Sequence, residues 1–121
     1  MQYILKSVAG GRIPYGPGSG FDQPYDAFQW NYGEEGEWPD WMEEIKEIVI
    51  SPDETLSFLG HQKRYNPGIP QKAHSGDYIV NKTTGVVVDD KEFFEKMYVP
   101  MTSEIQKVID DLHKEAYKEN S

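Results

Sequence analysis

The chain has 121 residues, 21 acidic against 12 basic, for a formal charge of −9 at neutral pH, and no cysteine. That charge repels bare phosphate backbone and anionic lipid, which excludes generic nucleic-acid and membrane-surface binding; the lack of cysteine excludes a disulfide framework and thiolate chemistry, as suits a cytosolic protein. A hydrophobic share of 37% and a mean hydropathy of −0.72 point to one domain with a modest core.

Residues 2–8 alternate weakly around Tyr3, Ile4, Leu5 and Val8, which predicts a strand. This start has no apolar core of signal-peptide length, and no run approaches the roughly 18 apolar residues of a membrane span, so the chain is expected to be soluble and intracellular. From Gly10 to Pro24 glycine and proline are too dense for a regular element, so a long loop is predicted. Gly16, Gly18 and Gly20 near Arg12 superficially suggest a phosphate cradle. A P-loop needs Lys-Ser or Lys-Thr opening a helix, and a dinucleotide fingerprint needs a strand before and a helix after, so the better reading is a flexible or partner-ordered loop.

Residues 25–30 form the first clear strand, with Phe28 and Trp30 on one face and destined for the core. The densest charge follows: Glu34, Glu35, Glu37, Asp40, Glu43, Glu44 and Glu47, relieved only by Lys46. Pro39 and Asp40 can open a helix reaching Ile48, with Trp41, Ile45 and Ile48 along one side and carboxylates favoured in its first turns. Glu43 and Glu47 would then lie a turn apart, yet no His or Asp completes a metal-ligand set. Two uses of the face remain: solvation, or meeting a basic surface.

A turn at Ser51-Pro52-Asp53-Glu54 leads to strands over 55–65 and 69–80, paired as a hairpin about Asn66-Pro67-Gly68. His61 and His74 face each other across such a hairpin. With no third ligand or nucleophile beside them they read as surface histidines, and no metal or cofactor is expected. Lys63, Arg64, Lys72 and Lys82, bordered by Tyr65 and Tyr78, are the one place where positive charge gathers, and they define a candidate pocket for a small anion. The competing reading is scattered charge that keeps a sheet edge soluble.

The 69–80 strand and a further one at 86–88 flank a turn ending in Gly85. Asp89 or Asp90 then caps a helix over 91–98 that presents Phe93, Phe94 and Met97. Thr102 or Ser103 starts the clearest helix, 102–118, with a capping-box spacing at Ser103 and Gln106 and an apolar stripe of Ile105, Val108, Ile109, Leu112 and Ala116. That stripe packs on the domain's own sheet or on a second copy. The expected fold is α+β: a small, mostly antiparallel sheet with three helices, the longest C-terminal. It divides into an N-terminal strand and loop at 1–24, a compact core at 25–98, and the C-terminal helix at 99–121.

Asp26-Ala27-Phe28-Gln29-Trp30, Pro39-Asp40-Trp41, Gly76-Asp77-Tyr78-Ile79-Val80, Gly85 and Phe94-Glu95-Lys96-Met97-Tyr98, in that order, resemble a family of small phage and prophage proteins of undefined biochemical function. The family pattern is an acidic residue before Ala-Phe-Gln-Trp, a Pro-x-Trp, a Gly-Asp-(Tyr/Trp)-Ile-(Ile/Val) strand and a Phe-Glu-x-x-Tyr helix. The likeness covers Tyr25 to Tyr98; the Gly/Pro-rich opening and the helix after Pro100 depart from it. It implies a phage accessory protein in the cytoplasm of the infected bacterium, one that binds and modulates or antagonises a host component, bacterial immunity among the candidates, without catalysis. Two routes follow: the acidic face engages a basic host protein, or the pocket near Arg64 and Lys82 sequesters an anionic signalling nucleotide. The alternative is a virion or assembly component that forms a homo-oligomer through the C-terminal helix.

Overall fold

The computed structural model describes residues 1–16, 19–33, 38–45, 47–60, 69–82 and 85–119, with backbone alone at Glu44 and from 116 onward. In chain order the elements are β1 (Gln2–Leu5), α1 (Lys6–Ala9), β2 (Tyr25–Gln29), a 3-10 helix (Asp40–Glu44), β3 (Val49–Ser51), β4 (Thr55–Gly60), β5 (Ile69–His74), β6 (Tyr78–Lys82), β7 (Gly85–Asp89), α2 (Lys91–Met97), β8 (Tyr98–Pro100) and α3 (Ser103–Glu119). The β1–β8, β2–β6, β3–β4, β4–β5 and β6–β7 pairings are antiparallel and α3 is the longest helix, so the fold is α+β. The chain divides into two units: Asp26–Phe94, and Met1–Tyr25 together with Glu95–Ser121.

In the first unit, β-branched residues dictate the pairing. The β6–β7 hairpin sets Ile79 against Val88 and Val80 against Val87, and β2 lies on the other side of β6, with Ala27 opposite Val80 and Phe28 opposite Ile79. A second sheet of order β3-β4-β5 aligns Ile50, Leu56 and Ala73. Alternation along β4 buries Leu56, Phe58 and Gly60. Leu56, Phe58 and Ala73 then share a core with Trp30, Met42, Ile45, Ile79 and Val86, while Phe28, Trp38 and Trp41 pack against it. Gly60 must be glycine for a steric reason: a Cβ there would sit 2.6 Å from the Val86 carbonyl oxygen.

The strand predicted over 69–80 is broken. Gly76 adopts φ +97° and turns the chain, with the Asp77 N–H donating to the His74 carbonyl at 3.0 Å. The Asp77 side chain secures this corner: Oδ2 accepts from the His74 N–H at 2.9 Å and Oδ1 from the Lys91 N–H at 3.2 Å. Of the two candidate caps for α2 the structure uses Asp90, whose Oδ2 accepts from Glu92 and Phe93.

The helix predicted from Pro39 to Ile48 is also corrected. Among the described residues of this stretch Asp40–Glu44 alone is helical, and as a 3-10 turn; Ile45 is extended, and Glu47 takes φ +60° on the way into β3. Tertiary packing overrides the local pattern, because Met42 and Ile45 enter the core and the following residues pair with β4. Glu43 and Glu47 are therefore not a helical turn apart. At the next corner Ser51 accepts from the Glu54 N–H at 3.1 Å, and Glu54 adopts φ +64°, as a three-residue hairpin loop requires.

In the second unit the expected strand over 2–8 ends at Leu5, and α1 turns Val8 into the interior. Ile4 pairs with Val99 across β1 and β8. Ile4, Val8 and Ile13 pack with Ile109, and Ile105 and Leu112 join them, so these three residues of the α3 stripe are engaged within their own chain. The cap of α3 is the Thr102 hydroxyl, which accepts from the Ile105 N–H at 3.2 Å. Gln106 does not close a box with Ser103; its side-chain amide donates to Asp110 Oδ1 at 3.1 Å. Burial, with the Glu95 carboxylate adding to it, raises the Tyr3 hydroxyl above its ordinary pKa.

Candidate functional site

The strand β2 presents Asp26 and Phe28, and both hold the Trp38–Trp41 segment within the acidic stretch. The Trp41 indole N–H donates to Asp26 Oδ2 at 3.2 Å, while the Phe28 ring lies 5.8 Å from Trp41 and 6.2 Å from Trp38. These contacts pin both ends of the Trp38–Trp41 stretch. The 3-10 turn then closes through the Met42 N–H to the Pro39 carbonyl at 2.9 Å and the Ile45 N–H to the Met42 carbonyl at 3.1 Å. Its outer side carries Asp40 and Glu43, both exposed.

An open cleft of about 460 Å³ lies along this turn, lined by Trp38, Pro39, Met42, Glu43, Ile45 and Ile48. Five of these are apolar or aromatic and one is a carboxylate, a composition suited to a ligand with an apolar body and a positive end. Beyond Ile48 the chain continues into Val49 and Ile50, which are 54% and 52% exposed on β3. A second cleft of about 360 Å³ lies against β4 and β5 and includes Glu47, Ser57, Leu59, Pro70 and Lys72.

Of the predicted acidic face, Asp40, Glu43 and Glu47 are placed and exposed, and Glu44 is placed by its backbone; Glu34, Glu35 and Glu37 lie outside the described residues. Of the predicted anion pocket, Lys72, Lys82 and Tyr78 are placed. Tyr78 is 7% exposed, with its ring stacked on Phe94 at 4.1 Å between centroids. Lys82 Nζ lies 3.3 Å from Asp89 Oδ2, and Lys72 shares the second cleft with Glu47. Lys63, Arg64, Tyr65 and His61 lie outside the described residues, and His74 is exposed with Nδ1 3.7 Å from Asp77 Oδ2. Nearby, Asp53 has its pKa held below the usual carboxylate range, chiefly because the Thr55 hydroxyl donates to it at 2.6 Å, with Lys72 adding a favourable charge.

Two features have no counterpart in the sequence reading. The apolar cleft depends on a 3-10 turn where an α-helix is predicted; the cue was the pairing of Trp38 with Trp41 around Pro39 and Asp40. The other is the contact of His113 Nε2 with Asp22 Oδ2 at 2.5 Å, which ties α3 to the glycine-rich loop across 91 residues of sequence. Asp22 is buried, and no local pattern announces so distant a pair.

Among the described residues no group of three or more His, Cys, Asp or Glu is placed to hold a metal ion, and no helix is long and apolar enough to cross a membrane. No family model, no curated protein and no solved structure matches the chain.

Proposed function

We propose that this chain is a non-catalytic binding protein, a phage accessory factor acting in the cytoplasm of the infected bacterium, whose acidic surface engages a basic surface of a host protein and so modulates or antagonises it. The observation that carries the reading is the exposure of Asp40 and Glu43 on the 3-10 turn, with an apolar cleft beside them. Carboxylates bordering apolar surface combine long-range steering with area to bury at contact. The net charge of −9 favours encounter with a basic partner over any phosphate polymer. Bacterial immunity is one host process such a partner would belong to.

Sequestration of a nucleotide has less support, since Lys82 is engaged by Asp89 and Tyr78 is buried. Assembly through α3 has less support as well, since Ile105, Ile109 and Leu112 pack within the chain.

The test is affinity capture from lysate of a bacterial host, with the wild-type protein and an Asp40→Asn/Glu43→Gln/Glu47→Gln variant side by side. The expected result is a partner retained by the wild type, released as salt is raised, and absent from the variant. Equal capture by both proteins, or turnover of any substrate by the wild type, overturns the reading.

A further inference from the structure

We infer that the Trp38–Met42–Ile48 cleft receives an arginine side chain from an extended segment of the partner, with the guanidinium meeting Glu43. This rests on the reading of the acidic surface as a partner-binding face and names the chemistry that it recognises.

Four observations converge on that occupant. Part of the cleft wall is aliphatic and aromatic, from Trp38, Met42, Ile45 and Ile48, which suits the methylene stem of a long side chain. Among the described residues Glu43 is the one charged group in the lining, and a neutral apolar ligand seated against it would strip water from its carboxylate without replacing the lost hydrogen bonds. Trp38 is part of the lining, and a guanidinium can stack on an indole while donating a two-pronged bond to a carboxylate; an ammonium does only the electrostatic part. Val49 and Ile50 follow Ile48, both exposed and on alternate faces of β3, so one of them adds apolar surface for a residue flanking the arginine.

Charge argues against a second copy of this chain as the occupant. With a net charge of −9, it would bring its own carboxylates toward Asp40, Glu43 and Glu47. The second cleft is a poorer host for a cation, because Lys72 sits in its wall beside Glu47.

The probe is an end-blocked tripeptide with arginine between two leucines, paired with its citrulline counterpart, which has nearly the same shape and no charge. Titration into the labelled full-length protein is followed by NMR at the Trp38 indole N–H and at the Met42 and Ile48 methyl groups. Saturable shifts at these three residues are expected, with citrulline binding about fivefold more weakly, the scale of one partly exposed ion pair. Glu43→Gln, an exposed change that leaves the core untouched, should weaken the arginine peptide by the same factor and leave the citrulline peptide unaffected. No saturable shift up to about 10 mM peptide, equal binding of the two peptides, or shifts confined to the Lys72 cleft each overturn the inference.

The lysate capture, repeated with Ile48→Ser, separates this failure from failure of the broader reading. Loss of the partner supports the cleft as its seat. If Ile48→Ser retains a partner that the charge-neutralised variant loses, the cleft assignment falls and the acidic-face reading stands.

Discussion

Replacing Asp77 tests whether one carboxylate holds the corner between β5, β6 and α2. Its two oxygens accept the backbone N–H groups of His74 and Lys91, and the residue is only 9% exposed. In Asp77→Ala both amides lose a charged acceptor, and water reaches the corner poorly. Hydrogen bonds to charged groups contribute about 1.5–3 kcal/mol each, and the helix terminus loses a favourable negative charge. Discounting for the exposed side chains of Lys91 and His74, the expected loss is about 3 kcal/mol. Asp77→Asn keeps one carbonyl acceptor but turns an NH2 group toward the other amide, so it should lose at least half as much. Urea denaturation followed by tryptophan fluorescence measures the loss, and hydrogen exchange at His74 and Lys91 localises it. An Asp77→Ala midpoint within about 0.5 kcal/mol of wild type, or unchanged protection at both amides, would refute the argument.

Three further outcomes follow from the same geometry. Gly60→Ala should cost about 1–3 kcal/mol, because its Cβ meets the Val86 carbonyl at 2.6 Å and backbone has to yield; thermal unfolding reads this directly. Glu54→Gly should stabilise by about 0.5–1 kcal/mol by relieving the positive φ at the β3–β4 corner, and no gain in a denaturant midpoint would count against that account. Thr55→Val removes the hydroxyl that does most to depress Asp53, so the Asp53 carboxyl followed by NMR should titrate at higher pH than in the wild type. Since the folded value is the lower one, the bond's contribution to the hairpin is present above the ordinary aspartate pKa and disappears as pH falls through the depressed value; in Thr55→Val that acid-dependent loosening should vanish.

Much of the architecture was legible because side-chain periodicity and backbone demands agree. The β4–β5 and β6–β7 hairpins, the capped start of α2 and the stripe of α3 all have local patterns that their surroundings reinforce. The errors fall where long-range contacts outweigh local preference. Ile45 and Ile48 carry a helical spacing, but Ile45 is extended as it packs into the core, Glu47 takes a positive φ, and β3 pairs with β4 from Val49. The strand predicted over 69–80 runs through Gly76, whose amide instead donates to the Trp30 carbonyl at 2.7 Å, a contact that fixes the turn. The carboxylates of the candidate site are plain in the sequence, since charge density needs no structure to be seen. The cleft beside them is not, because it exists only once Phe28 and Asp26 have seated Trp38 and Trp41.

The division of the chain also sets an order of events during synthesis. Residues 26–94 form one unbroken stretch, so that unit holds all its own partners before α3 has been made. The other unit must wait: Tyr3 finds Pro100 opposite it, and Ile4 and Val8 have no Ile109 or Leu112 to cover them until the ribosome has passed those codons. At about 5–20 residues per second, the interval between Phe94 and Leu112 is on the order of seconds, long compared with the microseconds in which a hairpin closes. Ile4 and Val8, made before that unit, are therefore buried after it. For that interval Ile4 and Val8 stand as nascent hydrophobic surface, a natural point of attachment for chaperones.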